Sequence, residues 1–141
     1  MLNLDTHIVV SVLDGSLSPD ETALVSAEPL GISSIVLWEL AKLVQLRRLV
    51  LDFDSREFQT FMTHVTIFPI TLQIARQSTK LDFRADPVDE IIAATSIIEQ
   101  IPLLTRDRKL LKSRMTPLAF RRLISACSQK WERAVADRPY S

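Results

Sequence analysis

Apolar residues fall into two kinds of run along this chain. Short apolar stretches at residues 1–4, 29–33, 65–70, 101–105 and 117–120 predict strands. Val65-Thr66-Ile67 has the β-branched content of a buried strand. Between the short runs, helical patterns predict helices over residues 8–13, 19–28, 35–47, 56–63, 72–81 and 87–100. In the third of these, Leu37, Leu40, Ala41 and Val44 recur at helical spacing. Ser18-Pro19-Asp20-Glu21 and Asp86-Pro87-Val88-Asp89 have the same form: a capping residue, proline at the first helical position, then acid in the first turn. Ser34, Thr71 and either Asp54 or Ser55 are the other expected caps, and Asp14-Gly15 ends the first helix. Residues 49–51 fit a strand or a loop, 82–85 a loop and 108–113 a short helix. Past Phe120, Leu123, Ile124, Cys127, Trp131 and Val135 lie near one helical face, which predicts a further helix before a frayed end.

Strands alternating with helices imply an α/β domain, a three-layer α/β/α sandwich around a parallel sheet, over residues 1–120. Residues 121–141 form an extra C-terminal helical tail. In such sheets functional groups gather where the strands end.

Composition narrows the function classes. The chain has 141 residues, 47% of them hydrophobic, enough for one domain with its own core. Seventeen basic residues balance seventeen acidic ones, so net charge gives no sign of a polyanionic partner, and any such partner must meet a local patch. A single cysteine, Cys127, excludes an internal disulfide framework and a multi-cysteine zinc site. With only Gly15 and Gly31, there is no glycine-rich phosphate loop. No signal-type start and no membrane-length apolar run occur, so a soluble cytoplasmic protein is expected.

Four acids stand at the ends of the expected elements. Asp5 follows the first strand, Glu39 lies early in the helix after the second, and Asp107 follows the strand at 101–105. With parallel strands these three share one edge. The helix from Pro87 ends at the opposite edge to feed its strand, so it starts at the shared edge and Asp89 joins the group. A like-charged pair roughly 4 Å apart costs about 4 kcal/mol at an effective dielectric near 20. Such a set therefore calls for a cation or for raised pKa values. Oxygen ligands alone favour Mg²⁺ or Mn²⁺ over zinc. Taken singly, each acid has a plainer explanation. Asp89 can serve the helix dipole, Asp107 a turn, and Asp86 fits a helix cap better than a ligand. Glu39 is harder to dismiss, because Leu37, Trp38 and Leu40 surround it in sequence. Arg106 and Arg108 flank Asp107 and are the expected contacts to a substrate phosphate, ahead of Lys42, Arg47 and Arg84.

Four pieces, in order, closely resemble the PIN-domain pattern. They are Leu4-Asp5-Thr6-His7, Ile32-Ser33-Ser34 with Trp38-Glu39-Leu40, Ala85-Asp86-Pro87-Val88-Asp89-Glu90-Ile91-Ile92-Ala93-Ala94-Thr95, and Pro102-Leu103-Leu104-Thr105-Arg106-Asp107. Their spacing is similar to that of VapC-type toxin ribonucleases and covers about residues 1–120. The resemblance implies a Mg²⁺- or Mn²⁺-dependent endoribonuclease with Asp5, Glu39, Asp89 and Asp107 as its acidic quartet. Ser33 and Thr105 match supporting polar positions and Asp86 a secondary acid. Water would attack phosphorus, and the cut would leave a 5′-phosphate. Glu90 departs from the pattern, which commonly has arginine there, and His7 stands where asparagine is frequent.

The same resemblance implies an RNA substrate, a homodimer, a small antitoxin protein as partner, and no membrane association. Helices in the 18–47 region would supply the antitoxin groove. Two alternatives stand beside the toxin: a PIN nuclease acting alone in RNA processing or DNA repair, and a non-catalytic interaction module.

Overall fold

The computed structural model describes residues 1–120. The expected helical tail and its boundary with the domain lie outside them. Four short parallel strands, β1 (Leu2–Leu4), β2 (Leu30–Ser33), β3 (Val65–Phe68) and β4 (Leu103–Leu104), form one sheet in the order β3-β2-β1-β4. Around them, among the described residues, run α1 (Thr6–Asp14), α2 (Pro19–Ala27), α3 (Ser34–Gln45), α4 (Arg56–His64), α5 (Leu72–Gln77), α6 (Pro87–Glu99) and α7 (Arg108–Leu111). This is the expected α/β/α sandwich. From β1 the chain builds outward through β2 to β3, then returns across the sheet to place β4 on the other side of β1. The strand order therefore reverses between β1 and β4. Parallel sheets open a crevice beyond the strand ends at such a reversal. Asp5 follows β1 directly, and Asp107 follows β4 within three residues.

Helix α6 is the element that makes the crevice. Its buried Ala93, Ala94 and Ser96 are small and let it lie close to the sheet, while Val88 and Ile92 enter the core with Leu4, Ile32 and Leu104. It packs against β1, β2, α3 and α5. Asn3, polar between Leu2 and Leu4 and wholly buried, fixes its position. The Asn3 Nδ2 donates to the Ile92 carbonyl at 3.1 Å and to Ser96 Oγ at 2.9 Å. The helix is thereby tied to the strand that carries Asp5.

Several expectations change. The 65–70 run is an edge strand, and Thr66 and Ile67 on it are exposed rather than buried. β-branched content marks any strand, central or edge. The 117–120 run contributes only a single parallel bridge, Leu118 to Leu103. Helix α5 stops at Gln77, not near 81. The Ser78 and Thr79 hydroxyls donate to the carbonyls of Ala75 and Arg76, at 2.6 and 2.7 Å, and the Thr79 and Lys80 N–H groups bond three residues back, to Arg76 and Gln77, instead of four. Ser33, not Ser34, caps α3. Residues 49–51 are loop.

Candidate active site

Asp5 is the best-anchored acid. Only 2% exposed, it is the N-cap of α1, and its Oδ1 accepts the His7 N–H at 2.7 Å. Its Oδ2 accepts from Thr105 Oγ1 at 2.6 Å. The same Thr105 oxygen accepts the Asp107 backbone N–H at 3.0 Å, so one buried hydroxyl joins the ends of β1 and β4. Burial pushes the Asp5 carboxyl above its ordinary range. The Thr105 and His7 contacts pull it back, and Asp107 adds to the rise.

Asp107 caps α7, its Oδ1 accepting the Lys109 N–H at 2.8 Å. Glu39 is half-buried on α3 and is also raised, first by burial and then by Asp5 and Asp86. The Thr6 hydroxyl opposes that shift. It sits near Glu39 without a hydrogen bond of good geometry, and it is otherwise a buried orphan.

Asp89 shows the strongest effect. Burial, then the charges of Asp5, Asp107, Glu39 and Asp86 in that order, push its carboxyl from an ordinary 3.8 up to about 7. The four acids singled out from the sequence are thus electrostatic neighbours at one edge of the sheet, and Asp86 is a fifth. Asp86 occupies the N-cap position of α6, but its exposed carboxylate accepts no capping hydrogen bond. The capping explanation for Asp86 therefore fails. With Ala85, Asp89, Asp107, Arg108 and Lys109 it lines a groove of about 410 Å³.

Among the described residues, no three acidic, histidine or cysteine side chains stand grouped as a ready-made metal cage. The donor set still suits a hard divalent cation, since it consists of carboxylate oxygens without thiolate or imidazole. Burial, with repulsion from the other acids, also leaves Asp89 raised where a cation would lower it. Residues able to hold such an ion are Asp5, Glu39, Asp89 and Asp107, with Asp86 beside them.

Two supporting expectations separate. Thr105 touches the acids directly, whereas the buried Ser33 hydroxyl is committed to the Ile35 N–H at 3.3 Å and aims α3 instead. Arg106 is a correction. Its Nε and Nη2 donate to Glu21 Oε2 and Oε1, both at 2.8 Å, so the guanidinium faces α2 rather than a substrate. Arg108 is exposed and borders the groove. Sequence reasoning missed Asn3, Thr6 and Glu21. The first has a visible signal, an amide inside an apolar strand. Glu21 looks like any first-turn acid until Arg106 is brought to it.

The PIN-domain family model matches residues 3–114. Ribonuclease VapC22 of Mycobacterium tuberculosis (strain ATCC 25618 / H37Rv) is 33% identical over 91 residues, covering 62% of this chain and 70% of that protein. Among solved structures, VapBC2 from Rickettsia felis bound to a DNA fragment from their promoter superposes with a TM-score of 0.63 at 20% identity, covering 84% of this chain and 97% of that one. A toxin–antitoxin complex from Klebsiella pneumoniae gives 0.59 at 23% identity, with 79% and 91% covered. The chain belongs to the PIN-domain family, and its likeness is to the VapC type within it.

Proposed function

We propose that this chain is a divalent-cation-dependent endoribonuclease and the toxin of a toxin–antitoxin pair, with Mg²⁺ or Mn²⁺ as its cofactor. The observation that carries the reading is the joining of Asp5 and Asp107 through the buried Thr105 hydroxyl at the reversal point of the sheet, with Asp86 and Asp89 lining the groove beside Asp107; the upward push on Asp89 is in keeping with it. Bound among these acids, the cation would supply Lewis acidity toward a phosphoryl oxygen and the attacking water. The chain's own part is positional. Thr105 holds Asp5 in one orientation, the cap at α7 holds Asp107, and Asn3 holds α6 so that Asp89 faces both. Arg108 and Lys109, on the groove rim, offset the negative field that would repel an RNA backbone.

The partner assignments rest on the VapC likeness. Exposed Trp38 on α3 and Leu46 at its C-cap, with Val50 shortly after, give apolar surface for a small antitoxin or a second copy of the chain. Among the described residues no helix is long and apolar enough to cross a membrane; a cytoplasmic location goes with this proposal.

The test is cleavage of an RNA panel in Mn²⁺ and in EDTA. Wild type should cut only with the cation, and Asp5→Asn and Asp89→Asn should lose more than about a hundredfold in rate. Variants that cut as well as wild type would show the site is elsewhere. Growth arrest on induced expression, reversed by a co-expressed small neighbouring gene product, would distinguish the toxin from a PIN nuclease acting alone.

A further inference from the structure

A second cavity adjoins the acidic groove. It has a volume of about 450 Å³, lies between the turn after α5 and the first turns of α6, and shares Ala85 with the groove. Ser78, Thr79, Phe83, Arg84 and Glu90 are among its walls. Its size falls within the range of small-ligand sites. Asp89 and Glu90 are consecutive on a helix, so their side chains diverge by about 100°. Asp89 takes the groove and Glu90 the adjoining cavity. The cavity wall is also braced. Asp82 accepts from Ser113 Oγ and from the Arg114 N–H, both at 2.7 Å, which anchors the start of the Phe83-Arg84 segment to the loop after α7.

We propose that this cavity seats one base of single-stranded RNA next to the phosphate being cut, and that Glu90 selects the base. This rests on the nuclease reading above. Recognition of single-stranded RNA works by splaying a base onto an aromatic or guanidinium surface and reading its Watson–Crick edge. Phe83 and Arg84 supply such surfaces, and Ser78 and Thr79 hydroxyls. A carboxylate only accepts hydrogen bonds when ionised. Glu90 therefore favours a base with adjacent N–H donors on that edge. Guanine presents an imino and an amino hydrogen side by side, whereas uracil presents two carbonyl oxygens and one N–H between them. The base chosen is guanine. An arginine at position 90 would invert this choice, because it only donates.

Short fluorescent oligoribonucleotides identical but for one base are the probe, with binding read by anisotropy in EDTA and cut sites mapped in Mn²⁺. Wild type should prefer guanine over uracil by about tenfold in binding, with guanine at one fixed position beside each cut. Glu90→Gln should bring that ratio close to one, and Glu90→Arg should reverse it. Arg84→Gln should weaken all oligonucleotides alike. A guanine preference that survives in both Glu90 variants, or no preference in wild type, overturns the base seat even where Mn²⁺-dependent cutting is normal. Failure of wild type to cut any RNA while the Glu90-dependent preference persists removes the nuclease reading and leaves the base-binding cavity standing.

Discussion

Helices α2 and α6 begin alike in sequence and differently in space. Each has a short polar residue, then proline, then an acid at the third helical position: Ser18-Pro19-Asp20-Glu21 against Asp86-Pro87-Val88-Asp89. At α2 the signature closes on itself. Glu21 Oε1 accepts the Ser18 N–H at 2.8 Å, Ser18 Oγ accepts the Glu21 N–H at 3.2 Å, and Arg106 meets the carboxylate bidentately. Glu21 can then be wholly buried. At α6 nothing closes. Asp86 accepts no capping bond, and Asp89 faces other acids. The difference comes from one turn of chain after β4. Arg106 leaves it toward α2, and Asp107 toward α6. A buried acid whose cation comes from the protein is structural. On the proposed function, one that other acids push upward awaits a cation from solution.

The largest effect separating the two helix starts should come from Arg106→Ala. Removing one partner of a buried ion pair costs about 3 kcal/mol, because the other charge stays behind without compensation. Urea denaturation should show that loss, with RNA cleavage by the remaining folded protein showing an unchanged KM. An unaltered denaturation midpoint with weakened RNA binding would return Arg106 to the substrate side and erase the contrast.

The opposite sign is expected at α6. Asp89 has a folded pKa of about 7 against an ordinary 3.8. A raised folded pKa gives a contribution to stability that is full below the unfolded value and lost as pH rises through the folded one. In EDTA, wild type should therefore lose stability between about pH 4 and pH 7. The amount is on the order of 1–2 kcal/mol once solvent screening of this partly exposed group is allowed for. Asp5 and Glu39 are raised too, so they add slope of the same sign. Asp89→Asn should flatten the profile and raise Tm by several degrees at pH 7.5, and Mn²⁺ should stabilise wild type more than the variant. Equal pH slopes in the two proteins would mean that the acids do not confront one another.

This contrast also marks how far the sequence reached. Periodicity and turn chemistry are local, and they located β1, α2, α6 and the strand-end acids. Helix polarity then brought Asp89 to the edge shared by Asp5 and Asp107, as the structure has it. Whether a strand is central or at the edge depends on its neighbours, so the 65–70 run looked buried when it is not. The pairing of Arg106 with Glu21 spans eighty-five positions, and no local pattern announces it. The capping role given to Asp86 failed for the opposite reason. Its local pattern is sound, but its side chain takes no part in the cap.

The smallest effect is the most direct comparison of the two starts. Ser18 makes its cap, so Ser18→Ala should lower stability by about 1 kcal/mol, a typical loss for a formed cap. Asp86 occupies the same position without the bond, and its charge raises Asp89. Asp86→Ala loses no hydrogen bond and removes some repulsion, which offsets the weaker interaction with the helix dipole. Its change in stability should stay within about 0.5 kcal/mol in EDTA. In Mn²⁺, if Asp86 contributes to the cation, the same variant should need more metal for half-maximal cleavage while Ser18→Ala does not. Thermal melts and metal titrations on the two variants, run side by side, check both halves. A drop of about 1 kcal/mol for Asp86→Ala would restore it as an ordinary cap and remove the fifth acid from the site.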